Sequence, residues 1–339
     1  MKHPQSAARR RVLLAGAGLA AAPLVLAATP GEEGVRASRA LMGTQVDIAA
    51  RGADAALLRA ASAAAFERMA ALAAVMSHYS ATSEVAAIGL ASGLQPVAVA
   101  PELLQVLHMA QEVSRHSDGA FDATIGSLGR WQFDPQDPRM PAPSAIRARL
   151  ACVDWRQLAL DDKAGTAYLK RRGMRLDLGG IAKLYILRAG LDTLRAHGVR
   201  TALVNGGGDV VAMGGRDARP WRVGIRDPRA PQRLLATLDV REGFVASSGD
   251  YERFFVRDGR RWHHVLDPRT GEPTQGPHGV TLVGRELQAV NGLGAAAMVL
   301  GAREGRALVE RTAGVEGLIA GADGELWASA SLRARLQGA

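Results

Sequence analysis

The chain has 339 residues, 47% hydrophobic but only 4% aromatic, so it is long enough for one large domain or two ordinary ones with a core mostly of Ala, Val and Leu. Its formal net charge of +9 suits an anionic ligand or partner. No dense Lys/Arg patch interleaved with aromatics occurs, so nucleic acid is not an expected partner. Cys152 is the only cysteine, which excludes an internal disulfide, a cysteine metal site and CxxC redox chemistry.

Residues 1–28 read as an export signal. Lys2 and Arg9-Arg10-Arg11 precede an apolar run from Val12 to Leu26, and Ala27-Ala28 follows as a small-residue site. The arginines fit a twin-arginine pattern, a route that carries folded proteins to the periplasm. The run is short for a span, which needs roughly 20 apolar residues, and an uncleaved anchor is the alternative. Residues 29–339 then form the mature domain.

In chain order, Gln45 to Ala49 alternates polar and apolar residues and predicts a strand entered through Gly43. Asp54 to Met76 predicts a long Ala/Leu-rich helix, ended by the polar turn Ser77-His-Tyr-Ser. Pro101 to Ser114 predicts a second helix, with Pro101 in its first turn. Ser117-Asp-Gly-Ala-Phe-Asp122 is a glycine-containing loop with two carboxylates, readable as a ligand loop or as a side-chain-capped turn. A proline-dense exposed loop leads to a short helix, Ala145 to Leu150, and Leu158 to Ala167 reads as a hairpin.

Arg175 to Lys183 reads as a strand running into a helix that reaches His197. Gly179-Gly180 at that helix start suits an anion, since no Cβ blocks approach and free N–H groups point outward. Lys183 lies one turn further in. The spacing fits neither a Walker motif nor a dinucleotide GxGxxG. Thr201 to Val211 reads as strand, glycine turn and strand around Asn205-Gly-Gly-Gly-Asp209.

Trp221 to Ile225, Leu234 to Val240 and Gly243 to Ser247 predict further strands. They lead into the densest stretch of chemistry, Ser247 to Gly271. There Tyr251 to Val256 and Arg261 to Leu266 predict a hairpin closed by Asp258-Gly259. His263 and His264 then point to opposite faces of the return strand, one toward the core or a cleft. On these residues alone an ordinary hairpin with surface histidines is the plainer reading. Gly279 to Val283 predicts a strand, Leu287 to Leu300 a small-residue helix, and Gly317 to Ala328 a closing hairpin. Strands and helices mix without regular alternation, which favours α+β over a parallel doubly wound sheet.

Taken together, seven segments in order resemble the ApbE family of FAD:protein FMN transferases. They are Met42-Gly-Thr44; Ser77-His-Tyr79 with Ser83-Glu84; Asp118 to Asp122; Asp177 to Lys183; Asn205 to Asp209; Ser247 to Glu252; and His263 to Gly271. The resemblance implies an α+β fold of antiparallel sheets packed with helices, two lobes around a flavin cleft. It implies Mg²⁺-dependent transfer of FMN from FAD to a Thr or Ser hydroxyl of a partner flavoprotein, with release of AMP. Family precedents for the partner include membrane redox complexes.

By the same resemblance, Met42, Tyr79, Ala120, Phe121, Asp122, Asp177, Lys183 and Val265 fall at FAD-contacting positions, and His264 is the base that activates the acceptor. Gly180 would offer its carbonyl to Mg²⁺. The family's other two ligands, Asp and Thr, are Asn291 and Ala295 here, which implies a weakened metal site. Leu184, Arg188 and Gly89 also depart from the family pattern. A relative that binds FAD without catalysis is the alternative implied by these departures.

Overall fold

The computed structural model describes residues 34–215 and 218–338. The export segment expected over 1–28 lies outside them. Among the described residues no helix is long and apolar enough to cross a membrane.

The chain opens with strands β1 (Gly34–Leu41) and β2 (Thr44–Arg51), of which only the second was expected. Met42 and Gly43 join them with φ of 53° and 71°, the paired positive angles of a tight hairpin turn. Helix α1 (Ala55–Met76) begins where Asp54 accepts from the N–H groups of Ala56 and Leu57. Next come α2 (Glu84–Leu90), β3 (Val97–Ala98), α3 (Pro101–His116), α4 (Pro143–Leu150), β4 (Leu158–Asp161) and β5 (Thr166–Leu169). The stretch Arg175–Leu178, expected as a strand, is irregular. Its Asp177 N–H bonds the carbonyl of Ala123 rather than a sheet partner.

Helix α5 (Ala182–Ala196) is followed by β6 (Thr201–Gly206), β7 (Asp209–Met213), β8 (Trp221–Arg226), β9 (Leu234–Val240) and β10 (Gly243–Gly249). The hairpin β11 (Phe254–Arg257) and β12 (Arg260–His263) is shorter than predicted, with Tyr251 and Leu266 outside it. Then come β13 (Gly279–Gly284), α6 (Leu287–Val290), α7 (Leu293–Arg311), β14 (Val315–Ala320), β15 (Leu326–Ala328) and α8 (Ala330–Arg333). The single helix expected over Leu287–Leu300 is broken at Asn291 and at Gly292, whose φ of 75° no right-handed helix accommodates.

Eight strands form the main sheet in the order β1-β2-β6-β7-β10-β13-β14-β15, and every neighbouring pair is antiparallel. The period of two in strand side chains divides the core between its two faces. Ile48, Val204, Val211, Phe244, Leu282 and Ile319 face one side and pack with α1, α3, α5 and α7. Their alternates Ala49, Leu203, Val210, Val245, Val283 and Leu318 face the other, under the β8–β9 ribbon with Trp221, Val223 and Leu238. Both faces are covered, so the strands read as nearly continuous apolar runs rather than clean alternation. The result is the α+β class with antiparallel sheets.

Helix α5 crosses the sheet closely. A Cβ on Gly206 would stand 2.9 Å from Leu187 Cδ2, so the β6–β7 turn and the start of α5 are held side by side. That approach brings two of the sequence motifs to one end of the sheet.

Candidate active site

The site is built from loops that converge at this end. Gly207 has φ of 58°, and a Cβ there would meet Thr44 Oγ1 at 2.7 Å. The glycine turn therefore lies against the Met42-Gly-Thr hairpin. Asp209 follows it, buried, accepting from the Ser247 N–H at 2.9 Å and pairing with Lys183 Nζ at 2.9 Å. These contacts join the glycine turn, the start of β10's motif and the first turn of α5.

Asp177 sits before α5. Its Oδ1 accepts from the Gly179 N–H at 2.8 Å and lies 3.1 Å from His78 Nδ1. Burial pushes this carboxyl up, but His78, the Gly179 N–H and the Arg253 charge outweigh it and hold it below the usual carboxylate range. Tyr79, beside His78, is 62% exposed and accepts a hydrogen bond from Arg253 Nη1 at 3.0 Å. Arg253 also stands over the glycine pair, its Nη2 4.0 Å from where a Gly179 Cβ would be.

Ala120, Phe121 and Asp122 are buried. Asp122 caps a short 3-10 turn. Oδ1 accepts from the N–H and the hydroxyl of Thr124 at 2.7 and 2.6 Å, and Oδ2 from the Trp155 N–H at 2.9 Å. Its carboxylate is thus largely engaged within the protein. Phe121 Cε2 lies 3.1 Å from a notional Gly180 Cβ, and the Ala295 methyl lies 3.9 Å from the same point. A cleft of about 430 Å³ opens beside this loop, with Asp118, Asp122, Trp155 and Arg269 in its wall.

The two histidines expected on one return strand divide differently: His263 closes β12, and His264 follows in a bend outside the strand, so alternation does not set its direction. His263 is buried, with Nε2 donating to the Thr274 carbonyl at 2.9 Å. His264 is half-buried, and Nδ1 lies 3.4 Å from the Arg253 carbonyl, which favours a proton on Nδ1 and leaves Nε2 with a free lone pair. Burial, then the charges of Arg253 and His263, push its pKa well below the ordinary histidine value. Val265, next in the chain, is buried. An aromatic wall stands alongside, where Trp131, Phe133, Phe255 and Trp262 stack and Phe133 meets His264 edge-on at 6.5 Å between centroids.

The structure thus brings Met42's turn, Asp177, Gly180, Lys183, Phe121, Ala295 and His264 to one region through shared neighbours. Asn291 turns inward. It is 2% exposed, and its Nδ2 faces Met109 Sδ at 3.9 Å. Arg253, His78, Asp209 and the aromatic wall were not singled out from sequence. His78 and Asp209 lie within motifs already recognised, Arg253 directly follows one, and the wall concentrates much of the chain's sparse aromatic content.

The comparisons with known proteins identify the family. The ApbE family model matches residues 42–319, and the chain belongs to the ApbE family. An FAD:protein FMN transferase of Treponema pallidum is 34% identical over 274 residues, 75% of each chain. One from Klebsiella pneumoniae is 40% identical over 195 residues, 57% of this chain. The match spans 60% of that relative's length. The ApbE protein of Thermotoga maritima superposes with a TM-score of 0.82 at 29% identity, over 89% of this chain and 99% of its own. The flavin transferase ApbE from Vibrio cholerae gives 0.76 at 27%, over 90% and 100%.

The resemblance implies a magnesium ion at Gly180, Asn291 and Ala295. Gly180 supplies a carbonyl, Asn291 an amide whose nitrogen faces a sulfur, and Ala295 a methyl. Mg²⁺ favours charged oxygens in octahedral array, and this set contains none. Among the described residues no cluster of three His, Cys, Asp or Glu side chains is arranged to hold a metal. The three positions do not fit the ion.

Proposed function

We propose that this protein is an FAD:protein FMN transferase, moving FMN from FAD to a Thr or Ser hydroxyl of a partner flavoprotein and releasing AMP. The observation that carries the reading is His264, a half-buried imidazole held neutral, its Nδ1 engaged by the carbonyl of Arg253, the residue whose side chain stands over Gly179, and its Nε2 free. FAD enters as substrate. The acceptor hydroxyl oxygen forms a bond to the FMN phosphorus, the bond from that phosphorus to the AMP oxygen breaks, and the hydroxyl proton passes to His264 Nε2. The α5 N-terminus and Lys183 hold the diphosphate, while the aromatic wall keeps water from the imidazole.

Met42, Tyr79, Ala120, Phe121, Asp122, Asp177, Lys183 and Val265 are assigned to the FAD site, and Gly180, Asn291 and Ala295 to the edge where the family holds Mg²⁺. The protein acts after export to the periplasm, on an acceptor that includes membrane-associated redox proteins. The support for this is the basic and apolar leader and the family precedent.

The test uses purified mature protein with FAD and a Thr-bearing acceptor peptide. Release of AMP matched by covalent flavin on the peptide, both abolished in His264→Ala, supports the reading. FAD binding without either product in the wild type overturns it in favour of a flavin-binding relative.

A further inference from the structure

The donors at Gly180, Asn291 and Ala295 do not suit a divalent cation, yet a diphosphate reacting with a hydroxyl needs its charge neutralised. The structure offers cations of its own at this place. Lys183 divides its charge between Asp209 and any ligand, and as a lone ammonium it does not span two phosphate oxygens. Arg188, a departure from the family pattern, is not available, because its Nε is shared by both Asp192 oxygens at 2.8 Å on the outer run of α5. Arg253 differs from both. Its side chain is exposed, and among the described residues it bonds only the Tyr79 hydroxyl and has no carboxylate within ion-pair distance. It stands over Gly179, and its charge is felt by Asp177, Glu252 and His264, which places it centrally among the site groups.

We propose that this chain binds the FAD diphosphate without a resident divalent cation, and that the Arg253 guanidinium supplies the neutralising charge across the glycine pair. A planar fork of N–H donors matches two phosphate oxygens at once, which a lone ammonium does not. Tyr79 holds the fork in place before ligand arrives, which limits the ordering cost of binding. Asn291 and Ala295 then mark a site whose metal has been replaced by a side chain rather than one merely damaged.

This rests on the flavin-transferase reading, and the experiment separates the two. FAD and riboflavin binding are measured by flavin fluorescence in EDTA and again with excess Mg²⁺, for wild type, Arg253→Ala and Arg253→Lys. The expected result is FAD affinity that differs by less than about twofold between EDTA and Mg²⁺. Arg253→Ala should then weaken FAD roughly tenfold or more. Arg253→Lys should recover part of the loss, and riboflavin, which has no phosphate, should be unaffected by either change. An unchanged melting temperature in the variants shows that the exposed arginine is not a folding element. FAD affinity that needs Mg²⁺ in the wild type, or that ignores Arg253, overturns the inference and leaves the transferase reading standing. Failure to bind FAD under either condition overturns both.

Discussion

Lys183 Nζ lies 2.9 Å from Asp209 Oδ2, and the other oxygen of that carboxylate accepts the Ser247 N–H. One buried acid therefore ties the first turn of α5, the β6–β7 glycine turn and the end of β10 into a single frame. The lysine is positioned by the sheet before any ligand arrives.

Asp209→Asn should loosen this frame. The amide keeps an acceptor for Ser247 but loses the ion pair, at a cost of about 1–3 kcal/mol. Chemical denaturation should show a lower midpoint with an unchanged slope, and FAD affinity should fall with it.

Lys183→Met leaves the Asp209 carboxylate buried without its partner. FAD affinity should drop roughly tenfold or more, with riboflavin affinity little changed, as fluorescence titration would read. Equal losses for both flavins would assign Lys183 to the frame alone.

The pH dependence follows from His264. Burial and the neighbouring cations lower its folded pKa well below the ordinary value, so near pH 7 the imidazole is neutral, with a lone pair that can accept a proton. The acid limb of kcat/KM should therefore lie below the usual histidine range. Arg253→Ala removes a positive neighbour and should move that limb upward. The same depression makes the unfolded chain bind protons that the folded chain refuses. Its stability contribution is present above the unfolded histidine value and lost as pH falls from there through the folded one. His263, lowered by burial, acts in the same direction. Melting temperatures across that window should fall with pH.

The double variant Asn291→Asp, Ala295→Thr restores a carboxylate and a hydroxyl beside Gly180. Calorimetry should show Mg²⁺ binding in the presence of FAD that the wild type lacks. An identical metal response in both proteins would mean that the ion finds other donors.

Asp250 is 5% exposed and bridges Arg261 at 2.7 Å and His278 at 2.8 Å. It clamps the β11–β12 hairpin, and with it His264, onto the entry to β13. Asp250→Ala should cost roughly 1–3 kcal/mol, because both partner side chains keep partial access to water. Transfer should show a lower kcat with KM nearly unchanged.

Much of the site was legible as motifs because tight turns, caps and anion cradles leave local signatures. Gly179-Gly180, the Asp258-Gly259 turn and the 205–209 glycine run are where the chain needs them, since their backbone angles or close approaches admit little else. The helices α1 and α3 were legible within two residues of their ends, through Asp54 as a cap and Pro101 in the first turn. The strand expected at Arg175–Leu178 was not formed, because its backbone is claimed by Ala123 and Ser127 from another loop. The split between α6 and α7 was missed because small apolar residues hide a left-handed glycine.

The sequence by itself determined the α+β class, the family, and the residue types at each loop, all of which are matters of local order and spacing. Only the tertiary structure decided which of those loops meet. His78 bonds Asp177, from which it is far removed in sequence. Arg253 reaches Tyr79. Asp122 turns its carboxylate into the protein, and Arg188 spends its charge on Asp192. Such choices depend on distances set by sheet packing and on the burial that makes a charge find a partner, and neither is encoded in any one segment.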